Sequence, residues 1–84
     1  PASQWYRDAV DSLKADRLWE ALLGFAAVVH ADPAHVKAWN NLGVILYEWG
    51  LTEQAGRAFE MVLQLEPEHA LAMENLKALR EESF

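Results

Sequence analysis

The chain repeats itself at a fixed offset of 34 residues. Laying residues 2–35 over 36–69 without a gap matches Trp5 with Trp39, Val10 with Val44, Ala21 with Ala55 and Phe25 with Phe59. It also matches Val28 with Val62, Pro33 with Pro67 and His35 with His69. These are the residue types that build a helical hairpin: large aromatics, a small residue at the crossing, and a proline closing the unit. A period of this size marks a repeat architecture, in which each unit buries its apolar face by stacking on its neighbour.

The second unit reads Ala38-Trp39-Asn40-Asn41-Leu42-Gly43, then Gly50, Ala55, Phe59 and Pro67. It resembles the tetratricopeptide repeat (TPR) family, whose pattern is W-x2-L-G-x2-Y, a later A-x3-F, and then P. Leu46 stands in the Tyr slot, and Tyr47 follows it. The first unit keeps Trp5, Ala9 (a small residue in the Gly slot), Ala21, Phe25 and Pro33. It departs at Asp8, where Leu is usual, and at Ser12, where Tyr is usual. Residues 70–84 resemble the first helix of a third unit, with Met73 in the Trp slot and Leu76 in the Leu slot. The resemblance implies an all-α fold, a right-handed superhelical stack of antiparallel helix hairpins (an α-solenoid) with about five helices. It implies a single TPR-like domain over 1–84: repeat one at 2–35, repeat two at 36–69 and a C-terminal capping helix at 70–84.

Local signals place the helices. Asp32-Pro33 and Glu66-Pro67 each set an acid before a proline, a pair suited to a helix start. Gly50 suits a helix C-terminus, and Thr52 is the expected cap of the helix after it. The pattern predicts helices over 2–15, 18–31, 34–48, 52–65 and 68–82, joined by short connections that make neighbours antiparallel. Ala9, Gly43, Ala21 and Ala55 are expected where paired backbones approach closely. Trp5, Trp39, Phe25 and Phe59 are expected to fill the space between hairpins.

Composition narrows the function. A chain of 84 residues buries only about 60–65% of its unfolded surface, so its stability is modest. With 52% apolar residues it has enough for a core. It has no cysteine, hence no disulfide and no thiolate metal site. No apolar run is long enough to span a bilayer. Its net charge of −6 disfavours nucleic acid and anionic lipid as partners. The chain begins at Pro1 without an initiator Met or a signal-like segment, as an excised fragment of a longer protein would. It reads as soluble, with the cytoplasm as the favoured compartment.

Nothing in the sequence points to catalysis. His35 and His69 are equivalent and follow a proline; with His30 they read as solvated turn histidines. A metal site needs three or four converging ligands, whereas equivalent positions in neighbouring units lie about 10 Å apart. H-E-x-x-H, a Gly-rich phosphate loop and G-x-S-x-G are all absent. Ser3, Ser12, Thr52 and Ser83 have no base at a recognisable spacing. The chain reads as a non-enzyme with no cofactor and no metal.

The resemblance also implies a concave groove, lined by the first helix of each unit, that holds an extended peptide. Its register assigns Ser3, Tyr6, Val10, Leu13, Lys37, Asn40, Val44 and Tyr47 to that groove, with Asn41 at its margin. Leu71, Glu74 and Asn75 join them. One TPR subclass grips the C-terminal carboxylate of chaperone peptides with two Lys, two Asn and one Arg. Here only Asn41 matches that clamp. Tyr6 and Val10 fill the first Lys and Asn slots, and Leu71 and Asn75 fill the second Lys and the Arg slots. A buried carboxylate would go unpaired at a cost of several kcal/mol, so binding of that type is not expected.

A second surface emerges where the two units differ. Trp19, Leu23, Ala26 and Ala27 share one helix face at i, i+4, i+7 and i+8. The same slots in the second unit hold Glu53, Arg57, Glu60 and Met61. An apolar outer face points to a cover: a preceding domain, another copy of the chain, or a protein partner. Asp8, in a Leu slot, marks a place where the stack is open to water. Trp49 sits at a helix end where the family is usually polar. The leading reading is therefore a non-catalytic module that binds a protein or peptide partner. The alternative is self-association through the apolar face, giving a homo-oligomer.

Overall fold

The computed structural model describes residues 2–82. Pro1, Ser83 and the expected end of the capping helix at 84 lie outside the described residues. The chain forms five helices: α1 (Ala2–Lys14), α2 (Leu18–Ala31), α3 (Val36–Glu48), α4 (Thr52–Leu65) and α5 (Ala70–Glu82). There is no strand among the described residues. α1 pairs with α2 and α3 with α4; the hairpins meet through α2 and α3, and α5 closes on α4. The molecule measures 38 × 25 × 17 Å, the extended outline of hairpins stacked in one direction.

Three of the matched pairs lie in the core. Phe25 and Phe59 are fully buried, as are Ala21, Ala55, Val28 and Val62. Small residues set the helix separation. A Cβ on Gly24 would lie 2.7 Å from the Ala9 Cβ, and one on Gly43 would lie 2.7 Å from the Phe59 ring. The two units solve one problem with the glycine on opposite helices. Ala9 and Gly24 in the first unit correspond to Gly43 and Ala58 in the second, and Ala58 is buried.

The stacking slots differ more. In α3, Ala38 and Ile45 join the core cluster around Ala9, Phe25, Val28 and Val29, and Trp39 and Leu42 pack against it. In α5, Leu76 and Leu79 in the Leu42 and Ile45 slots join Ala55 and Phe59. In α1, the same slots hold Gln4, Trp5, Asp8 and Asp11, all exposed. Trp5 is therefore a correction to the sequence-based expectation. It is 44% exposed and fills no space between hairpins. Trp39 is held by α2 and by its turn, where its Nε1 donates to the Pro33 carbonyl at 2.8 Å. No described helix stands in front of α1 to do the same for Trp5.

The turns also correct the expectation. Pro33 and Pro67 do not open helices. They lie in turns closed by His35 N–H donating to the Asp32 carbonyl and His69 N–H to the Glu66 carbonyl, each at 3.1 Å. The helices start later, and each turn histidine caps one of them. The His35 Nδ1 accepts from Ala38 N–H and the His69 Nδ1 from Ala72 N–H, both at 3.1 Å. This satisfies an amide that would otherwise be orphaned at a helix start. Thr52 is the first residue of α4, and Leu51 precedes it without a side-chain cap. The ends of α1 and α3 share one motif. Arg17 N–H returns to the Ser12 carbonyl and Asp16 N–H to Leu13; Leu51 N–H returns to Leu46 and Gly50 N–H to Tyr47. Such a stop needs a left-handed residue. Gly50 has φ 77°, and Asp16 takes the same position at φ 59°.

Candidate partner-binding faces

The first helix of each unit carries the expected groove row. Tyr6 is half-buried in α1. Its ring lies 4.6 Å from the His35 ring and 5.7 Å from Phe25, so a core aromatic and the helix cap fix it from two sides. Asn41 Nδ2 in α3 donates to the Tyr6 hydroxyl at 3.3 Å and joins the two hairpins. Val10 and Leu13 rest on the first core cluster, and Val44 and Tyr47 on the second. These four side chains edge the core. Lys37, Leu71, Ser3 and Glu74 are exposed, and Asn75 is half-buried. The structure thus joins Tyr6 to Asn41, and records no such bond between Lys37 or Leu71 and the rest of the row. Asn40 is half-buried, and its Oδ1 is a buried acceptor with no partner among the described residues.

Tyr47 carries a link the sequence did not announce. Its hydroxyl donates to the Glu82 carboxylate in α5. Tyr6 to Asn41 and Tyr47 to Glu82 span the same number of residues, 35, so both bridge adjacent first helices at one register. The hydrogen bond to Glu82 is the main cause that raises the Tyr47 pKa above its ordinary value near 10, with burial and the Glu82 charge acting in the same direction.

The second face is open. Trp19 is 60% and Leu23 56% exposed, and Ala26 and Ala27 are exposed beside them. Among the described residues nothing buries this face. Trp49, at the end of α3, packs its ring 5.5 Å from that of Trp19. On the other side of the stripe, Leu23 and Ala27 share a cavity of about 330 Å³ with Trp5, Asp8 and Glu20.

Among the described residues no three His, Asp or Glu side chains are grouped to hold a metal. No helix among them is long and apolar enough to cross a membrane. His35 and His69 are held as helix caps, so their side chains have a structural task that the reading as solvated turn residues missed. The signal was present in their identity at the repeat offset, directly before each helix.

Helices paired into hairpins and stacked in series at a 34-residue period define a helical-repeat protein. No protein-family model matches the chain. Over 60 residues, 71% of its length, it is 38% identical to a peroxisomal targeting signal receptor of Yarrowia lipolytica. Over 57 residues, 68% of its length, it is 39% identical to a peroxisomal targeting signal receptor of Kluyveromyces lactis. The chain spans about a tenth of the length of each receptor (10% in both).

Proposed function

We propose that the chain is a tetratricopeptide-repeat module that binds a protein or peptide segment and does no chemistry. Its units are 2–35 and 36–69, with the helix from residue 70 as a cap. The observation that carries this reading is the similarity, across two thirds of the chain, to two receptors of a targeting signal. Such signals are short peptide addresses read by a receptor.

The binding face in this reading is the row formed by Tyr6, Val10, Lys37, Asn40, Asn41, Val44, Tyr47 and Leu71. Two features support it. Tyr6, Val10, Val44 and Tyr47 are fixed by the core, so they offer apolar contact at little entropic cost. Asn40 holds an unpaired Oδ1, and an unmet buried acceptor costs about 1–3 kcal/mol. Turning that amide toward a peptide N–H supplies the missing partner. Lys37 is the cation on the row, so segments with an acidic residue near it are favoured. Only Asn41 matches the carboxylate clamp of the chaperone-binding subclass, so a free EEVD-like tail is not the expected ligand; tight, specific binding of such a peptide refutes that part of the reading.

The test is to pan a peptide display library against the chain and measure selected binders against variants. Asn40→Ala with Lys37→Ala should weaken binding at least tenfold while leaving the melting temperature nearly unchanged. Unchanged affinity places the site elsewhere. Tyr47→Ala is a poor probe of binding, because Tyr47 packs on the second core cluster and bonds Glu82.

A further inference from the structure

We propose that the groove between α1 and α2, on the outer face of the first hairpin, docks a basic amphipathic helix of another protein. The internal repeat supplies the template. In the second unit, Ala38, Trp39, Leu42 and Ile45 are covered by a helix, α2, through Phe25, Val28 and Val29. The corresponding face of the first unit carries Gln4, Trp5, Asp8 and Asp11, and no described helix covers it. A helix standing to α1 as α2 stands to α3 would lie on this face.

The lining says what kind of helix. Trp5, Leu23 and Ala27 give the cavity its apolar wall. Ala26 and Ala27 are exposed and small, which lets a helix backbone approach closely. Asp8 and Glu20 line the same cavity. By the repeat offset, Asp8 replaces the apolar Leu42, Asp11 replaces Ile45 and Glu20 replaces Gln54. The face has therefore exchanged neutral slots for carboxylates while keeping its apolar centre. Arg17 lies 3.8 Å from Glu20 and offsets part of its charge, and Arg7 donates to Gln4 at 2.7 Å; Asp8 accepts from the Gln4 amide, and among the described residues neither Asp8 nor Asp11 has a cation paired to it. A helix with an apolar stripe flanked by Lys or Arg complements this arrangement. A second copy of the chain, at net charge −6, meets it with like charge.

A fluorescent eighteen-residue peptide tests this. Its Leu/Ala stripe is flanked by Lys in one version and by Glu in the other, and binding is followed by anisotropy. The Lys version should bind at least tenfold tighter than the Glu version. Leu23→Glu should weaken it at least tenfold, although that change adds negative charge and would strengthen a purely non-specific attraction. Leu23 is exposed, so the variant should keep its helical circular dichroism. Asp8→Leu should reduce the preference for Lys over Glu at least threefold. Asn40→Ala should leave binding unchanged. Equal binding of the two peptides, or affinity insensitive to both Leu23→Glu and Asp8→Leu, overturns the proposal. So does sedimentation showing a dimer that Leu23→Glu disperses, because the face then belongs to a second copy.

Discussion

Single residues show where each copy of the unit is tuned. Asp16 occupies the left-handed stop of the first hairpin, where the second has Gly50. A left-handed non-glycine residue costs roughly 1 kcal/mol, somewhat less for Asp. Asp16→Gly should therefore raise stability by about 0.5–1 kcal/mol, and Gly50→Ala should lower it by about 1 kcal/mol; urea melts of the two variants check both signs. The histidine caps make a second prediction. His35→Ala should cost about 1 kcal/mol in the same assay, and His35→Asn should recover most of it, because Asn is a favoured cap. Full stability in His35→Ala would mean the hydrogen bond to Ala38 contributes nothing. The tryptophans separate in the same way. Trp39→Ala should cost on the order of 3–5 kcal/mol, since Trp39 packs on the core and is tied to Pro33. Trp5→Ala should cost no more than about 1 kcal/mol, since Trp5 stands largely in water.

At the scale of helices, the apolar pattern and the repeat made the five elements and their pairing legible. Boundaries at α1, α2, α3 and α4 fell within two residues of expectation because Gly50, the two prolines and the loss of apolar period mark them. The turn chemistry was less legible. A proline after an acid opens a helix or sits second in a turn, and the choice depends on what caps the helix; here His35 and His69 do so. Contacts between unlike slots could not be read at all. Trp19 meets Trp49, and Tyr47 meets Glu82, only because hairpins pack at a particular register. The Tyr47 link has a pH signature. Its folded-state pKa is raised, so its contribution to stability is present below about pH 10 and is lost as pH rises through the raised value. Stability measured at pH 8 and pH 11 should fall more in the parent chain than in Tyr47→Phe. An equal fall in both would remove the role assigned to this bond.

Across the whole molecule, the repeat and its departures divide the work. Matched residues such as Phe25 and Phe59 sit in the core and explain why two hairpins stack. Unmatched slots set the two exposed faces apart. The row through Tyr6, Asn40, Asn41 and Tyr47 mixes rings held by the core with amides able to pair a peptide backbone. The opposite side carries Trp19, Leu23 and Ala27 on the first hairpin but Glu53, Arg57 and Met61 on the second. That Tyr6, Val10, Val44 and Tyr47 stand on the first helix of each hairpin was legible from the repeat register. What the register could not give was how much of that row the core already uses, because half-burial of Val10, Val44 and Tyr47 depends on the tilt between hairpins. In the proposed function the row formed by α1, α3 and α5 receives a peptide segment. Two-dimensional NMR of the labelled chain, titrated with a library-selected peptide, locates the contact residue by residue. The side-chain amide signals of Asn40 and Asn41 and the backbone signals of Lys37 and Leu71 should move together and saturate at one affinity. Shifts confined to α2 and α4, with both asparagine amides unmoved, would contradict it.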